Sequence, residues 1–351
     1  MTPFFKLCIL GAISAWMITV LITPWIKKFA ISSGLLDIPS QRSHHKNPTP
    51  RLGGIGIYLG VTITTVLTIP ISTPLLGLLF GSTFILILGI IDDIKPLPPL
   101  VKLLGQLCVA CFAYSMDIQI QWLSSPFEGM IMLEWLSLPL TLFWIVGMIN
   151  AINLLDGLDG LAGGICGISA SILSLVAYFT GQFNIMIVCL ILLGSCLGFL
   201  RYNFSNAQVF MGDSGSMFLG YSLACISIIG VLKSTVAFSF LVPIFIFAVP
   251  LSDTLFSIIR RIKKKQAIFK ADNGHFHHRL VDIGLTPTQT TKLAYLISII
   301  LGLLAVMMSQ TSGVNSWLLL ATCIAILTTA ITLCRRKSKA ILSIAKFFSL
   351  Q

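Results

Sequence analysis

Five aspartates in this chain stand where few charges are tolerated. Asp92 and Asp93 close "GIIDDIK", Asp156 and Asp159 punctuate "INAINLLDGLDGLAGG", and Asp213 opens "FMGDSGS". Each borders strongly apolar chain, where an ionised carboxylate is expensive and is therefore a functional candidate by default. Adjacent Asp92 and Asp93 repel, which raises one pKa unless a cation intervenes, so the pair suits a basic, phosphate-rich ligand. Asn150, Asn153, Asp156 and Asp159 are spaced three apart, so on a helix they drift slowly round one face. Their oxygens are hard ligands of the kind magnesium prefers. Gly212 and Gly215 bracket Asp213 and expose its carboxylate. A plainer reading stands beside each: Asp at a helix end commonly caps it.

Cationic and imidazole groups form a second set. Lys95 and Lys102 follow the paired aspartates, and "GHFHHR" gathers His275, His277, His278 and Arg279. These donors suit a diphosphate, which arginine can grip with two parallel bonds. Zinc is disfavoured because no loop cysteine completes a ligand set. "SQRSHHKNPTPRLGG" adds another polar cluster with Arg42, Lys46 and Arg51, of which Lys46 and Arg51 are candidate substrate contacts, whereas the run from Arg260 to Lys265 reads as a lipid-contacting face.

The elements that carry these groups are set by hydropathy. With 351 residues, 56% hydrophobic and only 10% charged, the chain is far too apolar for a soluble globular protein. Apolar runs long enough to cross a bilayer fall near 4–26, 53–71, 75–91, 100–121, 136–152, 161–180, 183–200, 215–232, 235–258, 291–308 and 315–334. This predicts an all-α polytopic membrane protein of about eleven spans, the first a retained span rather than a cleaved leader. Alternate threading leaves only Lys6 and Lys233, of 23 Lys and Arg, on the minority side. The majority side is then cytoplasmic, with the N-terminus outside and the C-terminus inside. All five histidines and the five aspartates fall on that face. The expected organisation is a membrane domain over 1–334, with motif loops near 27–52, 92–102, 150–160, 201–214 and 259–290, and a basic cytoplasmic tail over 335–351. Cys108 and Cys111 sit inside a span and read as small hydrophobes rather than a redox pair.

Together, "PTPRLGG", the "DD" at 92–93, Lys102, "NAINLLDGLDGL", "FMGDSGS" and "GHFHHR" resemble the polyprenyl-phosphate N-acetylhexosamine-1-phosphate transferases, a membrane family of the glycosyltransferase 4 or MraY-like type. The arginine after the histidine pair is most similar to its WecA/TagO branch. The resemblance implies transfer of a sugar-1-phosphate from a UDP-sugar to undecaprenyl phosphate, with release of UMP, at the bacterial inner membrane. It implies magnesium, with manganese able to stand in, held by Asp213 with Asn153 assisting. Asp92 would orient or deprotonate the lipid phosphate, and Asp93 would support the metal–phosphate cluster. Gly157, Leu158, Asp159 and Phe210 would hold the uridine, while Lys102, His277, His278 and Arg279 hold phosphates. Direct attack and an aspartyl-phosphate intermediate both fit. With His275 completing a compact sugar pocket, the expected donor is UDP-N-acetylglucosamine, for the first membrane step of a surface polysaccharide. The alternative donor is the muramoyl-pentapeptide nucleotide of the MraY type. Partners are then the two substrates and membrane lipids, with room for a homodimer and no role for nucleic acid. An ion-coupled transporter is the rival from another class, but its acids would lie at mid-membrane in repeated halves.

Overall fold

The computed structural model describes residues 3–38, 48–124, 130–232, 240–264, 280–282, 284–310 and 321. It is a bundle of helices: α1 (Pro3–Ser32), α2 (Gly53–Thr68), α3 (Thr73–Ile94), α4 (Pro99–Ser115), α5 (Ser137–Leu155), α6 (Leu161–Phe179), α7 (Phe183–Asn203), α8 (Gly212–Ser227), α9 (Leu241–Ile246), α10 (Ala248–Lys263) and α11 (Pro287–Gln310). Among the described residues seven helices are long and apolar enough to cross a membrane, and two further apolar helices, α2 and α4, are shorter. Two small antiparallel hairpins interrupt the bundle: β1 (Leu36–Asp37) with β2 (Thr49–Pro50), and β3 (Trp122–Ser124) with β4 (Met130–Met132).

Helix α8 is the central element, with every residue from Ser214 to Ser227 buried. Its neighbours are α3, α5 and α2. Lipid tails are as apolar as leucine, so helices in a bilayer associate by close packing of small residues. Gly54 of α2 and Gly215 of α8 meet backbone to backbone; a methyl group on Gly54 would lie 2.1 Å from the Gly215 Cα. The close approach puts the start of α8, with Asp213, in register with α2. From α8, Tyr221 donates to the Gly77 carbonyl of α3 at 2.8 Å. Exposed Leu10, Trp25, Phe80, Phe84 and Phe143 cover the outside, the inverse of a soluble surface.

The prolines at 96, 98 and 99 stop α3 and restart the chain as α4, with Pro99 at its first helical position, where a missing N–H costs nothing. Hydropathy predicts one ninth span over 235–258. Instead the described part is two helices, α9 and α10, meeting at Phe247, two residues before Val249-Pro250. Proline lacks the donor and clashes with the carbonyl four residues back, here that of Ile246, which is where α9 ends. Apart from residue 321, the expected eleventh span lies outside the described residues, as does the basic tail.

Candidate active site

Three helix ends build one wall of a cavity. Asp92 and Asp93 end α3, Lys102 lies in the first turn of α4, and Asp213 in the first turn of α8. The Lys102 ammonium bridges two carboxylates, 2.5 Å from Asp92 Oδ2 and 2.7 Å from Asp213 Oδ2. Asp92 also accepts the Leu97 N–H at 2.7 Å, so the proline turn delivers a donor to the carboxylate that precedes it. Asn153, from the last turn of α5, donates to Asp213 Oδ1 at 2.8 Å and to Ser216 Oγ at 2.9 Å. Asp93 accepts the backbone N–H groups of Asp213 and Ser214 at 2.9 and 3.0 Å.

The opposite wall is the turn between α5 and α6. Helix α5 ends at Leu155, and Gly160 takes a left-handed φ of 73° before α6 begins. Asp159 accepts the N–H groups of Asn206 and Ala207 at 3.0 and 2.8 Å, tying this turn to the segment after α7. Buried Asn203 braces the same junction, accepting the Gly160 N–H at 2.9 Å and donating to the Val209 carbonyl at 2.9 Å. From α11, Tyr295 donates to the Gly160 carbonyl at 2.5 Å and stacks on Phe204. Asp156 faces the carboxylates of Asp213, Asp93 and Asp159. Burial first, and then those charges, push its carboxyl up to about 7.

Between the walls lies a cavity of about 920 Å³, ample for a nucleotide-sized ligand. Asp92, Asp93, Lys102, Asn153, Asp156, Gly157, Leu158, Asp159, Phe210, Asp213 and Arg51 all line it. Eleven residues named from sequence thus converge from loops up to 162 positions apart. Asn150 does not join them: within α5, one turn before Asn153, it donates to Gln106 of α4 at 2.7 Å. Lys46, His275, His277, His278 and Arg279 lie outside the described residues. Asp37, paired with Arg51 at 2.5 Å, was missed, as were Asn203, Thr288 and Tyr295. Asp37 stood in a plain "LLDIP" and could be found only through its partner across the hairpin.

The donor set bears on a metal. Among the described residues no three His, Cys, Asp or Glu groups converge as a protein cage. Asp213 and Asn153 are instead two neighbouring oxygen-bearing groups at an open wall, beside an ammonium that already bridges carboxylates. That set fits magnesium, which is commonly held by one or two carboxylates and completed by substrate phosphates and water. It does not fit a closed zinc site.

The model of glycosyl transferase family 4 matches residues 75–231, the stretch from the start of α3 through α8. The chain is 40% identical over 299 residues to a Bacillus subtilis protein named probable undecaprenyl-phosphate N-acetylglucosaminyl 1-phosphate transferase, covering 84% of each. It is 32% identical to the decaprenyl-phosphate N-acetylglucosaminephosphotransferase of Mycolicibacterium smegmatis, over 84% of this chain and 80% of that one. Identity is 29% to the undecaprenyl-phosphate alpha-N-acetylglucosaminyl 1-phosphate transferase of Escherichia coli, over 88% and 86% respectively.

Proposed function

The chain belongs to glycosyl transferase family 4, and from that premise we propose that it transfers N-acetylglucosamine-1-phosphate from UDP-N-acetylglucosamine to undecaprenyl phosphate at the cytoplasmic face of a bacterial inner membrane. An acceptor phosphate oxygen forms the new bond to the sugar-linked phosphorus, the bond to UMP breaks, and UMP leaves. The observation that carries this reading is the single cavity in which Asp92, Lys102, Asn153, Asp159 and Asp213 meet beside exposed apolar residues of α3 and α4, among them Ile91, Ile94, Leu100 and Leu104. One substrate is anionic and dissolved while the other is anionic and membrane-held. Their phosphates can meet only at such a boundary, with cations to relieve repulsion.

The roles follow from the contacts. Asp92, buried and hydrogen-bonded to Lys102, orients or deprotonates the acceptor phosphate. Lys102 neutralises phosphate charge once substrates displace it from its carboxylates. Asp213 and Asn153 would hold magnesium, which supplies charge stabilisation to the transferring phosphoryl group when bound. Gly157, Leu158, Asp159 and Phe210 frame the nucleoside, and His275–Arg279 the sugar and diphosphate. The relatives' names favour N-acetylglucosamine as the sugar, as the short histidine segment does.

The test is UMP release and lipid labelling by purified protein with a panel of UDP-sugars. Transfer from UDP-N-acetylglucosamine that requires both undecaprenyl phosphate and magnesium is the expected result. Transfer from UDP-N-acetylmuramoyl-pentapeptide alone, or activity that survives chelation, would overturn it.

A further inference from the structure

Asp93 is spelled as half of an acid pair, yet its surroundings differ from those of Asp92. Both of its oxygens are engaged by peptide N–H groups, those of Asp213 and Ser214. The first N–H groups of a helix have no partner inside the helix. Within α8 no side chain supplies one, because the residue before the helix is Met211, which has no group to do so. A carboxylate 120 positions away takes the place of the usual local cap. Carboxylate-to-amide bonds are charge-assisted, and an anion there also favours the helix dipole.

The chain is shaped around this contact at three points. Gly212 has φ 74°, and a methyl group on it would lie 2.5 Å from Asp93 Oδ2. Gly89, one turn before Asp93, presses the α3 backbone on the same turn; a methyl there would sit 2.4 Å from the Ser214 Cα. On the other flank, Gly53 and Gly54 donate to the Phe210 and Met211 carbonyls at 2.9 Å each. The first turn of α8 is therefore gripped from two sides, and Asp93 is the side chain that accepts its N–H groups.

We propose that Asp93 is a positioning residue: it caps α8 from α3 and so fixes the direction of the Asp213 carboxylate, rather than meeting phosphate or metal itself. This rests on the transferase reading above for its catalytic consequence, though not for the cap. Without the cap the first turn frays and Asp213 loses its aim at Lys102 and Asn153. A displacement of about 1 Å in a catalytic group can cost about 100-fold in rate.

The experiment combines hydrogen exchange with kinetics on the full chain in detergent. Asp93→Asn should speed amide exchange in peptides spanning 209–216, whereas Asp92→Asn should not. Its kcat should fall about 100-fold, with KM for both substrates and the shape of the pH–rate profile unchanged. Gly212→Ala should give the same signature, and the double variant should be no slower than the slower single one, because both break one contact. Unchanged exchange in Asp93→Asn, a displaced limb of its pH–rate profile, or multiplicative losses in the double variant would overturn the proposal. If Asp93→Asn fails to fold, Gly212→Ala decides: it must speed amide exchange over 209–216 while leaving 205–207, held by Asp159, unchanged. If the wild-type chain transfers no sugar phosphate, the transferase reading fails while the exchange measurements still judge the cap.

Discussion

On the wall built from α3, α4 and α8, each carboxylate is matched by a donor: Asp92 and Asp213 by Lys102, Asp213 also by Asn153, and Asp93 by two peptide N–H groups. On the facing wall, Asp159 is matched by two N–H groups of the segment after α7. The Asp156 carboxylate makes no hydrogen bond among the described residues and faces other carboxylates instead. The same side chain thus serves as a bridged anion, a helix cap, a loop tie and a charge held under repulsion. Residue type marks where polar chemistry is concentrated, but the partner decides which task is done.

The comparison is sharpened most by breaking the first wall. Asp213→Asn keeps shape and removes the charge that Lys102 neutralises and that the proposed magnesium would meet. Loss of a preorganised electrostatic group costs about 10²–10³-fold, and we expect at least the upper figure in kcat, with unfolding temperature nearly unchanged. Near-normal turnover at low magnesium would remove Asp213 from its proposed role. Asp92→Asn should cost about 100-fold, the lower end of general-base contributions, because Lys102 keeps Asp213 as a partner. A change confined to the apparent affinity for the UDP-sugar would place Asp92 on the wrong substrate.

How far either wall could be read from sequence depends on the range of its contacts. Hydropathy located α6 and α7 closely, 161–180 and 183–200 against Leu161–Phe179 and Phe183–Asn203, because a bilayer leaves a helix little alternative to internal hydrogen bonding. Charge at the ends of apolar runs found Asp92, Asp93, Lys102, Asp156, Asp159 and Asp213 as members of one site. It did not find what holds them. Asp93 reaches α8 across 120 positions, Asn203 reaches Gly160 across 43, and Tyr295 reaches it across 135. A tyrosine inside an apolar helix carries no local sign of its partner. The break at Phe247 was signalled by Pro250 but overridden by the length of the apolar run.

On the second wall the largest effect should come from Tyr295→Phe. The ring and its stacking on Phe204 survive, while the buried Gly160 carbonyl loses its donor. An unsatisfied buried group costs about 1–3 kcal/mol, and the α5–α6 turn is proposed to frame the nucleoside. We expect KM for the UDP-sugar to rise up to about tenfold, with KM for undecaprenyl phosphate unchanged and kcat within about twofold. Equal losses for both substrates would show that the tie supports the fold rather than the donor wall.

The smallest effect concerns stability and isolates Asp156. Its carboxyl is held at about 7 in the folded chain, against an ordinary 3.8. Between those values the folded protein keeps a proton that the unfolded chain has released. Stability then falls as pH rises, because the slope follows the protons bound by the unfolded chain minus those bound by the folded one. The loss begins near the ordinary value, is complete once pH passes the raised one, and is flat above it. In chelator, the unfolding midpoint of the wild-type protein should therefore decline from about pH 4 to about pH 7 and then level off. Asp156→Asn, which cannot ionise, should flatten that decline without removing the bridged carboxylates of the first wall. Magnesium should act in the same direction as the substitution but only in part, since a cation near Asp213 relieves the repulsion that adds to the larger effect of burial on Asp156. A wild-type midpoint independent of pH over that window, or an unchanged slope in Asp156→Asn, would show that burial and the neighbouring carboxylates do not hold Asp156 protonated. The two walls would then differ only in which donors they use.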